Sequence, residues 1–474
     1  MNVVNDSRSA LVDEVRSRFG PKAAITDPAD IEPWLTDWRA RFHGKADAIL
    51  APATTEDVAQ IVRLAAERRV PLVPQGGNTS MVGGATPPAD GSALILSLRR
   101  MNRLRSISAE HNVAIAEAGM ILEQLHEQAA AVGRRFPLTL GARGSCTIGG
   151  LISTNAGGTQ VLRFGTMRSL VAGIEAVLPD GSVHSGLSGL KKDNRGYSLD
   201  QLLIGAEGTL GIVTAAALRL VPAVYSRAVG WAGVRDPQAA LALLRDFEER
   251  TDRIEGFELV PADSLALVLK HIPGSRAPLA SAHPWNVLIE ATSSTADLDP
   301  VELLQGLLAR AIEHKLVEDA MVASSEAQAD ALWKIRDSIS EAERSEGPST
   351  AHDISVAVAD MPDFLIEAKS AVESAFPGTI ASAFGHLGDG NLHLHVRAGS
   401  RAAPGWNEGE GHEIERFIDD LVTEAGGSIS AEHGIGQMKR GELERLASPG
   451  DLAAIRAIKK AIDPLGLMNP GKLV

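Results

Sequence analysis

Residues 74–84 read PQGGNTSMVGG. Gly76, Gly77, Gly83 and Gly84 carry no Cβ, so this backbone can enter the left-handed region and turn its N–H groups onto an anionic ligand. Such a loop suits a diphosphate. Residues 141–158, GARGSCTIGGLISTNAGG, bracket small polar side chains with glycines, and residues 205–211 read GAEGTLG. Both compositions let backbone lie close against a flat or phosphorylated molecule. One such loop is an ordinary turn; three in order point to a ligand. Neither G-x-G-x-x-G between a strand and a helix nor G-x-x-x-x-G-K-[ST] is present, so neither common phosphate loop accounts for them.

Upstream of the first loop, the spacing of Leu11, Val12, Val15 and Phe19 predicts a helix over 9–19. A second helix, capped near Thr55, places Val58, Ile61, Val62 and Ala65 on one side. The strand PLVP then runs into the loop. Strands follow in ALILSL and VAIAEAG, a helix over 120–132, a hairpin over 182–190 and an exposed turn over 191–197. After Pro222 the glycine loops cease and long helical patterns (237–251, 299–314, 325–342) alternate with strands such as RAVGWAG and WNVLIEA, which predicts a second domain. At 426 the glycines return.

At 474 residues the chain exceeds one usual core, and 44% apolar content excludes extensive disorder. A formal charge of −14 without a basic cluster excludes nucleic-acid binding. Cys146 is the only cysteine, so no intrachain disulfide or cysteine zinc cage can form. The most apolar segment, 202–221, is interrupted by Glu207, Arg219 and glycines, which favours buried strand over a membrane span. With no secretory signal in MNVVNDSRSALVDEV, a cytoplasmic protein is expected.

A second constellation lies at 384–396, FGHLGDGNLHLHV. Strand alternation puts Asn391, His393 and His395 on one face and Leu392, Leu394 and Val396 on the other. His386 precedes the GDGN bend, so chain reversal can return its imidazole beside His393. Downstream, SAEHGIG supplies Glu432 and His433. Two histidines and a carboxylate match the donor set of a divalent ion; a hydrogen-bonded polar strand face is the other reading of the same spacing. Adjacent residues of an ideal strand face opposite ways, so Glu432 and His433 share a site only if the backbone bends there, and Gly434 and Gly436 permit a bend.

The order PQGGNTS, GSCTIGGLISTNAGG, RFGTMRSLVAGIEAVLPDGSV, LLIGAEGTLGIVT resembles the FAD domain of the vanillyl-alcohol oxidase and para-cresol methylhydroxylase superfamily. Within it, the chain is most similar to the FAD-linked 2-hydroxy-acid dehydrogenases, the group of D-lactate and D-2-hydroxyglutarate dehydrogenases, from about Asp37 to Val474. The resemblance implies an α+β protein in three stretches. An FAD domain of two α/β lobes spans 1–222, a substrate domain with an antiparallel sheet covered by helices spans 223–426, and 427–474 returns to the flavin.

By the same resemblance, FAD is held by Pro74, Gln75, Gly76, Gly77, Asn78, Thr79 and Ser80 in the first loop. The second contributes Gly141, Ser145, Thr147, Gly149, Gly150, Asn155, Gly157 and Gly158; the third contributes Glu207, Gly211 and Ile212; the terminal NPGK contributes Asn469. Asn78 stands where covalently flavinylated relatives carry histidine, so the FAD is expected to be noncovalent. Cys146 reads as a small packing residue. His386, His393 and Glu432 match positions that bind a divalent ion, zinc being the one expected, and His433 matches the catalytic base. Arg336, in WKIR, matches the arginine that holds the substrate carboxylate, with Ser340 one helical turn on; an exposed ion pair is the plain alternative for that arginine.

The reaction implied is oxidation of a D-2-hydroxy acid to the 2-oxo acid, with His433 taking the hydroxyl proton, metal assistance, and hydride passing to flavin N5. Two positions depart from the 2-hydroxyglutarate enzymes: Ala351 stands where they have lysine and His395 where they have asparagine. A monocarboxylate, or an acid with a different distal group met by His395, is therefore equally expected. No nicotinamide fingerprint follows the flavin loops, so electrons are expected to leave to a separate carrier or to oxygen; the resemblance implies electron-transfer flavoprotein or a quinone-linked carrier, and a homodimer. The rival readings are an oxidase using oxygen and a non-catalytic flavin subunit; retention of His386, His393, Glu432 and His433 argues against the latter.

Overall fold

A computed structural model of the chain describes residues 2–190 and 192–474, so Lys191 of the expected exposed turn lies outside the described residues. The chain forms two compact units, one of Met1–Gly158, Gly165–Ala223 and Glu432–Val474, the other of Thr159–Phe164 and Val224–Ala431.

The first unit holds two main sheets. Strands Ala24–Ile25, Ile49–Leu50, Leu94–Ser97 and Leu72–Gln75 lie side by side in that order, the last three parallel. Their near-continuous apolar runs suit strands buried on both faces. The helix Thr55–Arg68 covers them: Thr54 and Asp57 form a reciprocal capping box at its start, Val58, Ile61, Val62 and Ala65 are buried, and Arg69 at φ 53° ends it. Helix Asn2–Phe19 adds Leu11 and Val15 to the same core. The second sheet is antiparallel, in the order Leu104–Ser108, Val113–Glu117, Ile212–Arg219, Val171–Val177, Val183–Ser185. The expected hairpin is thus built between 171–177 and 183–185, and residues 186–190 stand outside it.

A buried and a half-buried carboxylate brace this sheet. Glu117 accepts from Arg103 Nη2 at 2.9 Å and Arg105 Nε at 3.4 Å, and Glu175 accepts from Arg105 Nη2 at 3.0 Å and Thr214 Oγ1 at 2.9 Å. Burial pushes both carboxyls up, and the arginines beside them outweigh it, holding both below their ordinary value.

The second unit is one seven-stranded antiparallel sheet in the order Asp319–Val322, Ser226–Val234, Trp285–Ser293, Ile254–Pro261, Ile380–His386, Asn391–Arg397, Ser349–Ser355. Helices Ala262–His271, Glu326–Asp337 and Ile339–Arg344 pack on one face through Trp231, Leu288, Phe384, Ile335 and Ile339. Helices Pro237–Glu248 and Pro300–Glu313 pack on the other, where Phe247 meets Phe257 edge-on at 6.4 Å between centroids and Leu304 lies against Gly230. The helix expected unbroken over 325–342 is two helices meeting at Ser338. Ser338 stands at the break and Ser340 two residues beyond it, and serine competes for backbone hydrogen bonds in a helix interior. Among the described residues no helix is long and apolar enough to cross a membrane.

Candidate functional site

The strand Leu72–Gln75 ends at the rim of a cavity of about 600 Å³ inside the first unit. Residues 74–80 form one wall; Gly141, Ser145, Thr147, Gly149, Gly150 and Gly157 form a second; Glu207, Gly211 and Ile212 form a third. The loops meet so closely that side chains are excluded. A Cβ at Gly76 would lie 2.1 Å from Thr147 Oγ1, and one at Gly77 would lie 1.9 Å from the Ser145 carbonyl oxygen.

Gln75 Nε2 donates to the carbonyls of Trp34 and Ala85, both at 3.0 Å, which fixes the amide, and its buried Oε1 has no partner among the described residues. Buried Thr147 Oγ1 has none either. Unpaired buried polar atoms are costly and rare in native proteins, so these two atoms mark a place where a polar ligand belongs. Asn78 Nδ2 is spent on the Thr36 carbonyl at 2.8 Å.

Three residues expected at the cofactor do not line the cavity. Asn155 accepts instead from Thr166 Oγ1 at 3.0 Å and Arg168 N at 2.9 Å, and Gly158 packs against the Thr139 carbonyl. Asn469 Nδ2 ties the Gly84 and Glu207 carbonyls together at 2.9 and 2.7 Å. Cys146 does line the cavity; burial pushes its thiol up to about 11, which removes thiolate reactivity.

Glu432 and His433 line the same cavity. Residues 430–436 form no regular strand, and Gly434 at φ 80° and Gly436 at φ 53° supply the bend that alternation forbids. Sequence reasoning missed Trp38, 65% exposed yet on the cavity wall, and Lys472, whose buried ammonium is lowered to about 8 by burial against the opposing pull of Glu207. A lysine inside an apolar tail was the signal for the latter.

The second unit carries its own polar cluster on the sheet face under helices Glu326–Asp337 and Ile339–Arg344. Arg336 is not a surface pair: its side chain is 11% exposed and its Nε donates to Glu258 Oε2 at 2.8 Å. His386 Nδ1 lies 2.7 Å from Glu258 Oε1, and Arg336 Nη2 lies 3.1 Å from His386 Nε2. Burial alone would raise the Glu258 carboxyl, but Arg336 and His386 hold it down to about 2. The GDGN bend returns the chain so that the His386 and His393 rings stand 5.5 Å apart. Burial and Arg336 push the His393 imidazole well below its ordinary value, keeping it neutral and able to offer a lone pair.

His395, opposite Ala351 in the strand register, gives Nδ1 to Glu343 Oε2 at 2.6 Å. Ser340 lies on the short helix beyond the break, half-buried. Glu258 was legible as a lone charge in the apolar run FELV, but nothing in its spacing named its partners.

Residues 46–186 match the family described as FAD binding domain, and residues 225–473 match FAD linked oxidases, C-terminal domain. The chain is 37% identical over 459 residues to the mitochondrial D-2-hydroxyglutarate dehydrogenase of Arabidopsis thaliana, covering 96% of this chain and 80% of that one. It is 36% identical to the D-2-hydroxyglutarate dehydrogenase of Xanthomonas citri pv. viticola, over 94% and 93% of the two chains. The chain belongs to the FAD-linked oxidase and 2-hydroxy-acid dehydrogenase family. Solved p-cresol methylhydroxylase with substrate bound shares its fold at TM-score 0.73 and 15% identity, over 99% of this chain and 97% of that one. Alkyldihydroxyacetonephosphate synthase does so at 0.73 and 17%, over 97% and 86%.

In this FAD-linked oxidoreductase the glycine-walled cavity fits the dinucleotide. The Gly76 and Gly77 backbones lie against the second loop with no side chain between, and Gln75 Oε1, an acceptor, and the Thr147 hydroxyl, a donor or acceptor, keep hydrogen-bonding capacity for a ligand.

Proposed function

We propose that the enzyme oxidises a D-2-hydroxy acid to the corresponding 2-oxo acid. The observation that carries this reading is the presence of His433 and Glu432 on the wall of the flavin cavity, in a chain whose relatives are named for 2-hydroxy-acid oxidation. FAD, when bound, supplies the hydride acceptor.

The chain's own residues divide the remaining work. Arg336, a planar fork held by Glu258, receives the substrate carboxylate and orients the α-carbon. His433 takes the hydroxyl proton as general base. His386, His393 and Glu432 would hold a divalent ion, which would supply Lewis-acid charge for the hydroxyl oxygen. The donor set suits such an ion, with Glu258 on His386 Nδ1 as the orienting carboxylate that metal-binding imidazoles commonly have, and His386 Nε2 would exchange its Arg336 Nη2 contact for the ion. His395, braced by Glu343, meets the distal part of the substrate together with Ser340. Electrons leave to a separate carrier such as electron-transfer flavoprotein or a quinone-linked one, a reading supported by relatives named dehydrogenases.

The test is dye-linked turnover of purified enzyme across a panel of D- and L-2-hydroxy acids, before and after chelation. Turnover of one D-acid, lost on chelation and restored by zinc or another divalent ion, is the expected result. Turnover that survives thorough metal removal would sink the metal and leave the dehydrogenase; no turnover with any acid would sink the substrate class.

A further inference from the structure

Glu207 is an acid in an unusual place. It sits at φ 51° inside GAEGTLG, is 8% exposed, and lines the flavin cavity. Only a few per cent of non-glycine residues adopt such a conformation, and it costs strain unless the surroundings hold it. Here both sides are held: Glu207 N donates to the Ser153 carbonyl at 2.8 Å, and the Glu207 carbonyl accepts from Asn469 Nδ2 at 2.7 Å.

The strained backbone aims the carboxylate at one turn. Oε1 accepts from Ile435 N at 2.8 Å and Oε2 accepts from Gly436 N at 2.7 Å, so each oxygen takes one N–H. Consecutive N–H groups presented by a left-handed turn make an anion-binding concavity, and the anion here is part of the protein. Gly434 must be glycine for this approach, because a Cβ there would lie 3.0 Å from Glu207 Oε1 at φ 80°.

The far side of the turn is equally tight. A Cβ at Gly436 would lie 2.3 Å from the Val82 carbonyl, Gln437 N and Met438 N both donate to that carbonyl at 3.2 Å, and Leu473 N donates to the Gly436 carbonyl at 3.0 Å. His433 is two residues before the first gripped amide. Its backbone therefore hangs from a turn clamped between Glu207 and the PQGGNTSMVGG loop.

We propose that Glu207 is the positioning residue of His433: by gripping the Ile435 and Gly436 amides from the cavity wall, it sets where the imidazole stands relative to the bound flavin. The inference rests on His433 being the base. Proton removal demands placement within a fraction of an ångström, and a misplacement of about 1 Å costs roughly a hundredfold in rate.

The experiment compares wild type, Glu207→Gln, Glu207→Ala and His433→Ala as FAD-loaded enzymes on the substrate identified by the panel. Glu207→Gln keeps the volume and one acceptor oxygen but turns an NH2 toward the other amide. Glu207→Ala removes both acceptors. Expected, per bound flavin measured by absorbance, is a kcat lowered roughly tenfold for Gln and a hundredfold for Ala, with KM little changed. The solvent isotope effect on kcat should grow, and amide hydrogen exchange at 435–436 should be faster in both variants. Normal kcat per bound flavin in Glu207→Gln and Glu207→Ala, with His433→Ala inactive, would overturn the proposal while leaving the base in place. Loss of flavin with unchanged kcat per flavin would also overturn it. Normal turnover in His433→Ala would instead remove the base assignment on which it rests.

Discussion

The α-carbon of Gly77 stands so close to Ser145 that a Cβ on it would lie 1.9 Å from the Ser145 carbonyl oxygen. Two loops almost seventy positions apart are thus joined by a contact that only glycine allows, and the flavin cavity opens between them.

Gly77→Ala must push these loops apart, because the obstacle is backbone and cannot rotate away. Gly306, in the helix Pro300–Glu313 of the second unit, has open space where its Cβ would go. Gly77→Ala should purify with little or no flavin, whereas Gly306→Ala should keep the wild-type flavin-to-protein ratio. Equal ratios in the two variants would contradict the account of the cavity.

The Glu117 network predicts an acid limit on stability. Its folded carboxyl lies below the ordinary value because Arg103 and Arg105 outweigh the burial that raises it. A depressed acid contributes stability that is full above its unfolded pKa and is lost as pH falls through the folded value. Thermal unfolding should show Glu117→Gln lower in Tm than wild type by about 2–4 °C at neutral pH, the gap closing as pH falls well below 4.5. A gap that stays constant with pH would mean the network stabilises by shape alone.

Lys472 is depressed as well, but as a base, so its window lies at alkaline pH. Burial lowers its ammonium from 10.5 to about 8 in the folded protein, while Glu207 pulls the other way. The folded state then binds this proton less tightly than the unfolded chain does, so stability rises as pH climbs from about 8 towards 10.5. Wild-type Tm minus that of Lys472→Met should increase over that interval. A flat difference would show that the lysine keeps its ordinary proton.

Removing Arg336 should do more than weaken substrate binding. The Glu258 side chain is 1% exposed, and losing the guanidinium leaves a buried carboxylate with His386 as its remaining partner among the described residues. Breaking a buried pair costs about 3–5 kcal/mol. Chemical denaturation should find Arg336→Met destabilised by that order, and the double variant Arg336→Met, Glu258→Gln should recover a large part of it. Turnover should remain impaired in both.

What the sequence made legible was local. Glycine spacing marked the walls at 74–80, 141–150 and 205–212, strand alternation aligned His393 with His395, and the capping pair at 54–57 fixed a helix. What it hid depends on distant partners. Nothing near Glu258 announces Arg336, seventy-eight positions away, and nothing in GAEGTLG says that its acid grips the turn after His433. Asn155 was expected at the cofactor from the resemblance, and its side-chain carbonyl accepts from Thr166 and Arg168, partners its local sequence does not announce. The helix over 325–342 broke at Ser338 because periodicity reports which residues face the core and not where the backbone ladder is interrupted.

The central claim is that a D-2-hydroxy acid delivers its electrons to flavin held in the glycine-walled cavity. The most direct measurement mixes FAD-loaded enzyme with the acids under strict exclusion of oxygen and any acceptor, and follows the visible flavin band through one turnover. The account predicts that one D-acid bleaches the band fully, that its L-enantiomer does not, and that one 2-oxo acid forms per flavin. A flavin that stays oxidised with every D-2-hydroxy acid tested, in enzyme with full flavin occupancy, would contradict it.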